Sequence, residues 1–93
     1  MAALDLLGRR WSLRVLWELR HGLPVGAREL RARCDGMSPS VLYARLSELT
    51  DAGLVAQGAD QRYALTAIGR TLGSALEPLD QWSRRWARQL SAR

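Results

Sequence analysis

Residues able to do covalent or metal chemistry are scarce in this chain. It holds one histidine, His21, and one cysteine, Cys34, so neither an intrachain disulfide nor a structural zinc site can be assembled. There is no glycine-rich phosphate loop and no pair of carboxylates at a spacing suited to acid–base work. No catalytic residues, no metal site and no cofactor are expected, and an enzyme is not the expected class. What the chain does hold is arginine. All fourteen of its basic residues are arginines, set against nine acidic residues, for a net charge of +5 and a pI near 11.0. That excess on so small a body points to a polyanionic partner, and nucleic acid is the commonest polyanion. Exclusive use of arginine over lysine is also what a genome's codon bias would produce.

The stretch 37–49, MSPSVLYARLSEL, is where such a partner could be read. On a helix of 3.6 residues per turn, Leu42, Leu46 and Leu49 form one apolar stripe with Val41 and Arg45 at its margin. The opposite side carries Ser40, Tyr43, Ala44 and Ser47, with Ser38 and Pro39 at the tip. Slim, hydrogen-bonding residues near the N-terminal end of a helix suit entry into a major groove, where hydroxyls reach base edges and small apolar groups meet thymine methyls. The same residue types also populate helix faces that touch only water. For phosphate contacts the candidates are Arg28, Arg45 and Arg62, then Arg10 and Arg31, because charge neutralisation dominates protein–DNA affinity. Arg45 has a second reading, as a brace paired with Glu48 or Glu29. Arg84, Arg85 and Arg88 read as the solvated face of a terminal helix.

The elements that must position these residues follow from periodicity and punctuation. Leu4, Leu7, Trp11, Val15, Leu16 and Leu19 recur at helical steps and predict one helix over 4–19, closed by His21-Gly22 and kept closed by Pro24. ARELRARC, 27–34, predicts a short second helix with Leu30 and Cys34 inward, broken by Asp35-Gly36. Ser38-Pro39 supplies an N-cap and a first-turn proline, so a third helix runs from Pro39 to about Asp51, with Gly53 terminating it. Leu54 to Gln57 and Arg62 to Leu65 predict a hairpin turning over Gly58 to Gln61. From a Thr66 cap, Ile68, Leu72, Leu76, Leu79, Trp82, Trp86 and Leu90 trace a last helix, expected to kink or split at Pro78. The order α-α-α-β-β-α is that of a winged helix-turn-helix, mainly α with a small β-hairpin. One continuous domain is expected, with 1–65 as the core and 66–93 as a C-terminal helical extension.

These residues also resemble the HxlR-type winged helix-turn-helix transcriptional regulators. LLGRRWSLRVLWEL at 6–19 is similar to that family's opening pattern. Glu29-Leu30, GMS at 36–38, L-x-x-R-L-x-E-L at 42–49, D-x-G-L-V at 51–55, Y-x-L-T-x-x-G at 63–69 and LDQW at 79–82 continue the resemblance over nearly the whole chain. Two departures stand out: the hairpin tip is shorter than the family's, with Arg62 as the one arginine beside it, and Ala27 replaces a larger aromatic. The resemblance implies a bacterial regulator that binds double-stranded DNA as a homodimer, here read as a repressor on an inverted-repeat operator. It further implies dimerisation through terminal helices, for which Leu79, Trp82, Trp86 and Leu90, joined by Leu4 and Leu7, are the candidate surface. The same tryptophans could instead cover the domain's own core.

Two further residue sets invite a role. Trp82 and Trp86, four apart, could line a wall for a flat small-molecule effector at the dimer seam, although packing is the favoured use. Cys34 could sense oxidants, as single cysteines do in some relatives, or be an inert apolar residue on a buried helix face. The opening MAALDLLGRRW lacks the pattern of a secretion signal, and no apolar run reaches membrane-spanning length, so a soluble cytoplasmic protein with no membrane partner is expected. The alternative to a DNA regulator is a winged-helix protein–protein interaction module without sequence-specific DNA binding.

Overall fold

The computed structural model describes residues 2–92. In chain order its elements are α1 (Ala2–Leu7), α2 (Ser12–Glu18), α3 (Ala27–Arg33), α4 (Pro39–Asp51), β1 (Val55–Gln57), β2 (Tyr63–Leu65) and α5 (Ala67–Ser91). This is the winged helix-turn-helix order expected from the sequence, with two corrections. The single helix expected over 4–19 is two helices. Gly8 N–H bonds back to the Leu4 carbonyl at 2.8 Å, and the chain turns through Trp11 in the left-handed conformation (φ 77°) before α2 starts. Such a conformation is unfavourable for a bulky residue. It persists here beside the core, against which the half-buried Trp11 packs.

The second correction concerns Pro78. The last helix is not split there: α5 runs through it as one 25-residue element. Proline removes the bond that its own N–H would give the Ser74 carbonyl, but both residues are exposed, so water can satisfy that oxygen.

α2, α3 and α4 pack around one core. Val15 and Leu16 of α2, with Leu19 just after it, meet Leu30 of α3, Cys34 just after that helix, and Leu42, Leu46 and Leu49 of α4, and none of these is more than 1% exposed. The hairpin closes one side through Val55, Tyr63 and Leu65, and α5 closes another through Leu76. In the hairpin Val55 pairs with Leu65 and Gln57 with Tyr63, antiparallel. Val25 adds an isolated bridge to Tyr63, with N–H···O bonds of 2.8 Å in both directions. The loop after α2 is thereby stitched to the sheet, which holds the start of α3 beside the wing.

Local signals place α4. The Ser38 side-chain oxygen accepts from Val41 N–H at 3.3 Å, and Pro39 occupies the first turn, where its missing N–H is harmless. At the other end Gly53 adopts φ 78°. Gly53 N–H bonds the Thr50 carbonyl and Leu54 N–H bonds the Leu49 carbonyl, both at 3.0 Å, the paired bonds of a Schellman stop.

Thr66 ties the start of α5 to the turn between α4 and β1. Its hydroxyl donates to the Gly53 carbonyl at 2.6 Å and accepts from Gly69 N–H at 3.1 Å, while its N–H reaches the Leu54 carbonyl at 3.0 Å. The start of α5 therefore lies so close to β1 that only glycine fits at 69; a Cβ there would collide with the Leu54 carbonyl oxygen.

Beyond this junction α5 leaves the body. Its 25 residues, at about 1.5 Å each, make a rod roughly 37 Å long. Gly69, Gly73 and Leu76 are buried, whereas every described residue from Gln81 onward is exposed. The radius of gyration, 13.9 Å, accordingly exceeds the roughly 12 Å of a compact chain this long. Gly69→Ala is expected to lower unfolding stability by about 1–3 kcal/mol or more, the range for overpacked sites. A shifted denaturant midpoint checks this, and an unchanged midpoint would contradict the close approach of α5 to β1.

Candidate nucleic-acid interface

Burial divides α4 into two sides. Leu42, Leu46 and Leu49 lie within 1% of full burial, while Ser40, Tyr43 and Ser47 are exposed, Tyr43 to 55%. Ala44, between them, is half-buried. At the tip Ser38 Oγ lies 3.3 Å from Ser40 Oγ, so the first turn presents two hydroxyls beside the exposed Pro39 ring. Ser38, Pro39, Ser40, Tyr43 and Ser47 thus share one open flank, with Ala44 at its edge.

The arginines fall into different environments. Arg28 is exposed at the start of α3 and lines a groove of about 630 Å³ that continues past Gly36 and Met37 to Ser38 and Pro39. Arg31 shares that groove, but its Nε donates to the Met37 carbonyl at 3.2 Å and so also pins the turn before α4. Arg62, at the base of the wing, is 62% exposed and only loosely paired with Asp60 at 4.0 Å. Arg45 differs from these. Its side chain is 16% exposed and its Nη1 lies 3.4 Å from Glu48, the bracing arrangement rather than a free cation. Arg10 stands over the Trp11 ring at 5.7 Å, in the α1–α2 turn. No hydrogen bond or ion pair among the described residues ties Arg10 to α4 or the hairpin.

Two residues outside the sequence candidates lie beside this open flank. Thr50 and Gln57 line, with Tyr43, Ser47 and Tyr63, a notch of about 310 Å³ between α4 and the hairpin. Thr50 continues the Tyr43–Ser47 flank by one more helical step, so its signal was present in the spacing. Gln57 ends β1, and its amide donates to the Gln61 carbonyl at 3.2 Å, bracing the short wing turn. Tyr63 is buried at the notch floor. Burial, with Tyr43 nearby, pushes its phenol pKa above the usual value, so it remains a neutral hydroxyl.

The terminal candidates lie apart from this face. Leu79, Trp82, Trp86 and Leu90 are each about half exposed, at 47, 51, 52 and 45%. The two indoles stack, with centroids 5.6 Å apart and planes at 17°. Leu4 is 63% exposed, whereas Leu7 packs partly against the core. Cys34 is fully buried. Burial, then the nearby Glu18 carboxylate, raises its thiol pKa, the opposite of what a reactive cysteine needs. Among the described residues no group of three or more His, Cys, Asp or Glu could hold a metal, and no helix is long and apolar enough to cross a membrane.

A three-helix body with a hairpin wing, an uncovered α4 flank and arginines beside it defines a winged helix-turn-helix protein of the DNA-binding kind. The chain belongs to the HxlR-like helix-turn-helix family, whose model matches residues 6–91. It is similar in structure to a possible HxlR family transcriptional factor from Thermoplasma volcanium GSS1, with 28% identity, a TM-score of 0.85, and coverage of 95% of this chain and 84% of that one. Quinone-bound YodB from B. subtilis is 31% identical, with a TM-score of 0.75 over 95% of this chain and 93% of that one. The MarR family protein Rv2887 from Mycobacterium tuberculosis is also 31% identical, with a TM-score of 0.69 over 99% of this chain and 68% of that one. No curated protein matches in sequence. The family is one of transcriptional regulators, not enzymes.

Because Cys34 is sealed in the core with its thiolate disfavoured, its reaction with a disulfide reagent at neutral pH is expected to be more than about tenfold slower in the folded protein than in denaturant. Equal rates in the two states would overturn its placement as a core residue.

Proposed function

We propose that this protein is a sequence-specific regulator of transcription that binds double-stranded DNA as a homodimer, with α4 of each copy in the major groove of one half of an inverted repeat. The observation that carries this reading is the two-sided burial of α4, whose leucine side is locked in the core while Ser40, Tyr43 and Ser47 stay open. In this reading Ser38, Pro39, Ser40, Tyr43, Ala44 and Ser47 meet base edges. Arg28, Arg31 and Arg62 meet phosphates, joined by hydroxyl and amide donors from Thr50 and Gln57. Arg45 braces α4 through Glu48, and Arg10 acts at most as a distant contributor to the positive field.

The dimer is supported by the unpartnered stripe of Leu79, Trp82, Trp86 and Leu90 on the free part of α5, with Leu4 a further exposed leucine on α1. Apolar surface rich in tryptophan is what interface cores are made of. Residues 1–65 then form the DNA-binding core and 66–93 the dimerisation extension of one continuous domain. A dimer seated across a promoter excludes polymerase, so repression is the outcome we assign, in the cytoplasm where bacterial DNA lies. The rival, a protein-binding winged helix, lacks a comparable open apolar surface on α4 or the wing.

Selection of bound duplexes from a random pool is expected to enrich an inverted repeat. Affinity for it should fall steeply with salt, each engaged phosphate adding about −0.9 to the slope of log affinity against log salt. Arg28→Ala and Arg62→Ala should weaken all sequences alike, and Tyr43→Ala should erase about 1–3 kcal/mol of discrimination at one position. Absence of any enriched motif would instead favour the protein-binding module.

For the dimer, sedimentation should report twice the 10.4 kDa chain mass for the native protein and the single-chain mass for Trp86→Glu. A native protein that sediments as a monomer at concentrations where it binds the operator would contradict the assignment.

A further inference from the structure

The notch between α4 and the hairpin holds a polar group that the fold does not use. Tyr63 is 8% exposed, so its ring belongs to the core. Its backbone is engaged as well: its N–H and its carbonyl both bond to Val25, at 2.8 Å each. Its hydroxyl is different. It lines the notch, and no hydrogen bond among the described residues includes it. Burying a hydroxyl without a partner costs free energy, so buried polar side chains are nearly always bonded. In the free protein only water standing in the notch can reach this one.

The rest of the notch is furnished to match. Tyr43, Ser47 and Thr50 bring three hydroxyls from α4. Gln57 brings an amide that gives one proton to the Gln61 carbonyl, at 3.2 Å, and keeps a second to donate. All of these donors are neutral. The one charge at the notch is Asp51, the last residue of α4, whose carboxylate has no ion pair among the described residues. Which part of a duplex arrives here follows from widths. A major groove about 12 Å wide is filled by a helix about 10–12 Å across. With the open flank of α4 turned to the base edges, the hairpin beside it lies over the phosphodiester strand that walls the groove.

We infer that this notch seats one backbone phosphate of a bound duplex, with the Tyr63 hydroxyl as its deepest donor and Thr50 and Gln57 donating beside it. The inference rests on the DNA-binding reading above and adds to it a contact that needs no cation, since phosphate oxygens accept from hydroxyls and amides as well as from arginine. Tyr63 cannot follow a moving strand, because its ring is packed in the core and its backbone is tied to Val25. A phosphate held there is therefore held at a set place relative to α4, which makes Tyr63 a positioning residue for the register in which Ser40 and Tyr43 meet the bases. Asp51 opposes the phosphate and lowers affinity for every duplex, so the seat depends on hydrogen-bond geometry and not on net charge.

The probe is a short duplex of mixed sequence, bound to the full chain over a range of salt concentrations and followed by fluorescence anisotropy. Tyr63→Phe keeps the ring in the core and removes only the hydroxyl. Its denaturant midpoint is expected to equal or exceed the native one, because that hydroxyl holds nothing in the fold. Duplex binding should weaken about tenfold at every salt concentration, the scale of a hydrogen bond to a charged group. The slope of log affinity against log salt should stay as it is, since a neutral donor releases no counterion, whereas Arg62→Ala should flatten it by about 0.9. Asp51→Asn should tighten binding several-fold. Native affinity in Tyr63→Phe, or a flattened slope, overturns the phosphate seat and leaves the DNA-binding reading standing. Weaker binding by Asp51→Asn does the same, by showing that the notch takes a hydrogen-bond donor such as a base amino group. A lowered midpoint in Tyr63→Phe assigns the hydroxyl to the fold and also removes the seat. A native chain that binds no duplex even at low salt overturns the DNA-binding reading itself, and the seat with it.

Discussion

Leu42, Leu46 and Leu49 bury one side of α4 so fully that the helix cannot rotate about its axis without exposing them. With each methylene worth about 0.8 kcal/mol on burial, three leucines at 0–1% exposure hold the register of the whole element. Every residue on the outer flank inherits its direction from that constraint. Ser40, Tyr43 and Ser47 need no partner of their own to be aimed, because the core behind them has already aimed them. The Ser38 cap and the Schellman stop at Gly53 fix where the rod begins and ends. Sliding along the axis is therefore blocked as firmly as rotation about it.

The high positive charge is not spread evenly over one task. Arg14, Arg20, Arg33 and Arg45 are drawn into pairs with Glu18, Glu77, Glu29 and Glu48. These pairs lace helices together or lie along a single helix. As partly exposed pairs, most add little to stability, but they hold those arginines away from solvent anions. Arg28 and Arg62 escape such pairing or are only loosely held, and they lie at the two ends of the interface, one beside the tip of α4 and one beside the wing. Other arginines outside these pairs, Arg85 and Arg88 among them, lie on the far part of α5, so it is the placing of Arg28 and Arg62 beside α4 and the wing that the geometry can use.

Much of this was legible in the residues alone. Pro39–Asp51 begins and ends where Ser38-Pro39 and Gly53 say it should, because caps and left-handed stops are short-range signals. Thr66 as the cap of the last helix was readable for the same reason. The break at Gly8–Trp11 was not, since Leu4, Leu7, Trp11 and Val15 keep a helical period across it, and Trp11 takes a left-handed conformation that only tertiary packing maintains. Pro78 left a kink or a split open, and the fold excludes the split: α5 continues through it, with Ser74 and Pro78 both exposed so that water can reach the orphaned carbonyl. Val25 joins the sheet through a single bridge too short to have a period. The spacing allowed Arg45 both a bracing and a phosphate-binding use, and only the fold shows how far it is buried beside Glu48. Within the site, the open flank was visible as spacing, whereas Gln57 became part of it only when the hairpin folded back beside α4.

The claim on which the functional reading stands is that the open flank of α4 enters a major groove. Methylation interference on a bound duplex tests it most directly, because guanine N7 lies in the major groove and adenine N3 in the minor groove. Methyl groups at guanine N7 within each half-site should block binding, and the block at a given guanine should relax when Tyr43 or Ser40 is replaced by alanine. Interference only at adenine N3, or none at any base while phosphate modification still blocks binding, would contradict a reading helix at that position.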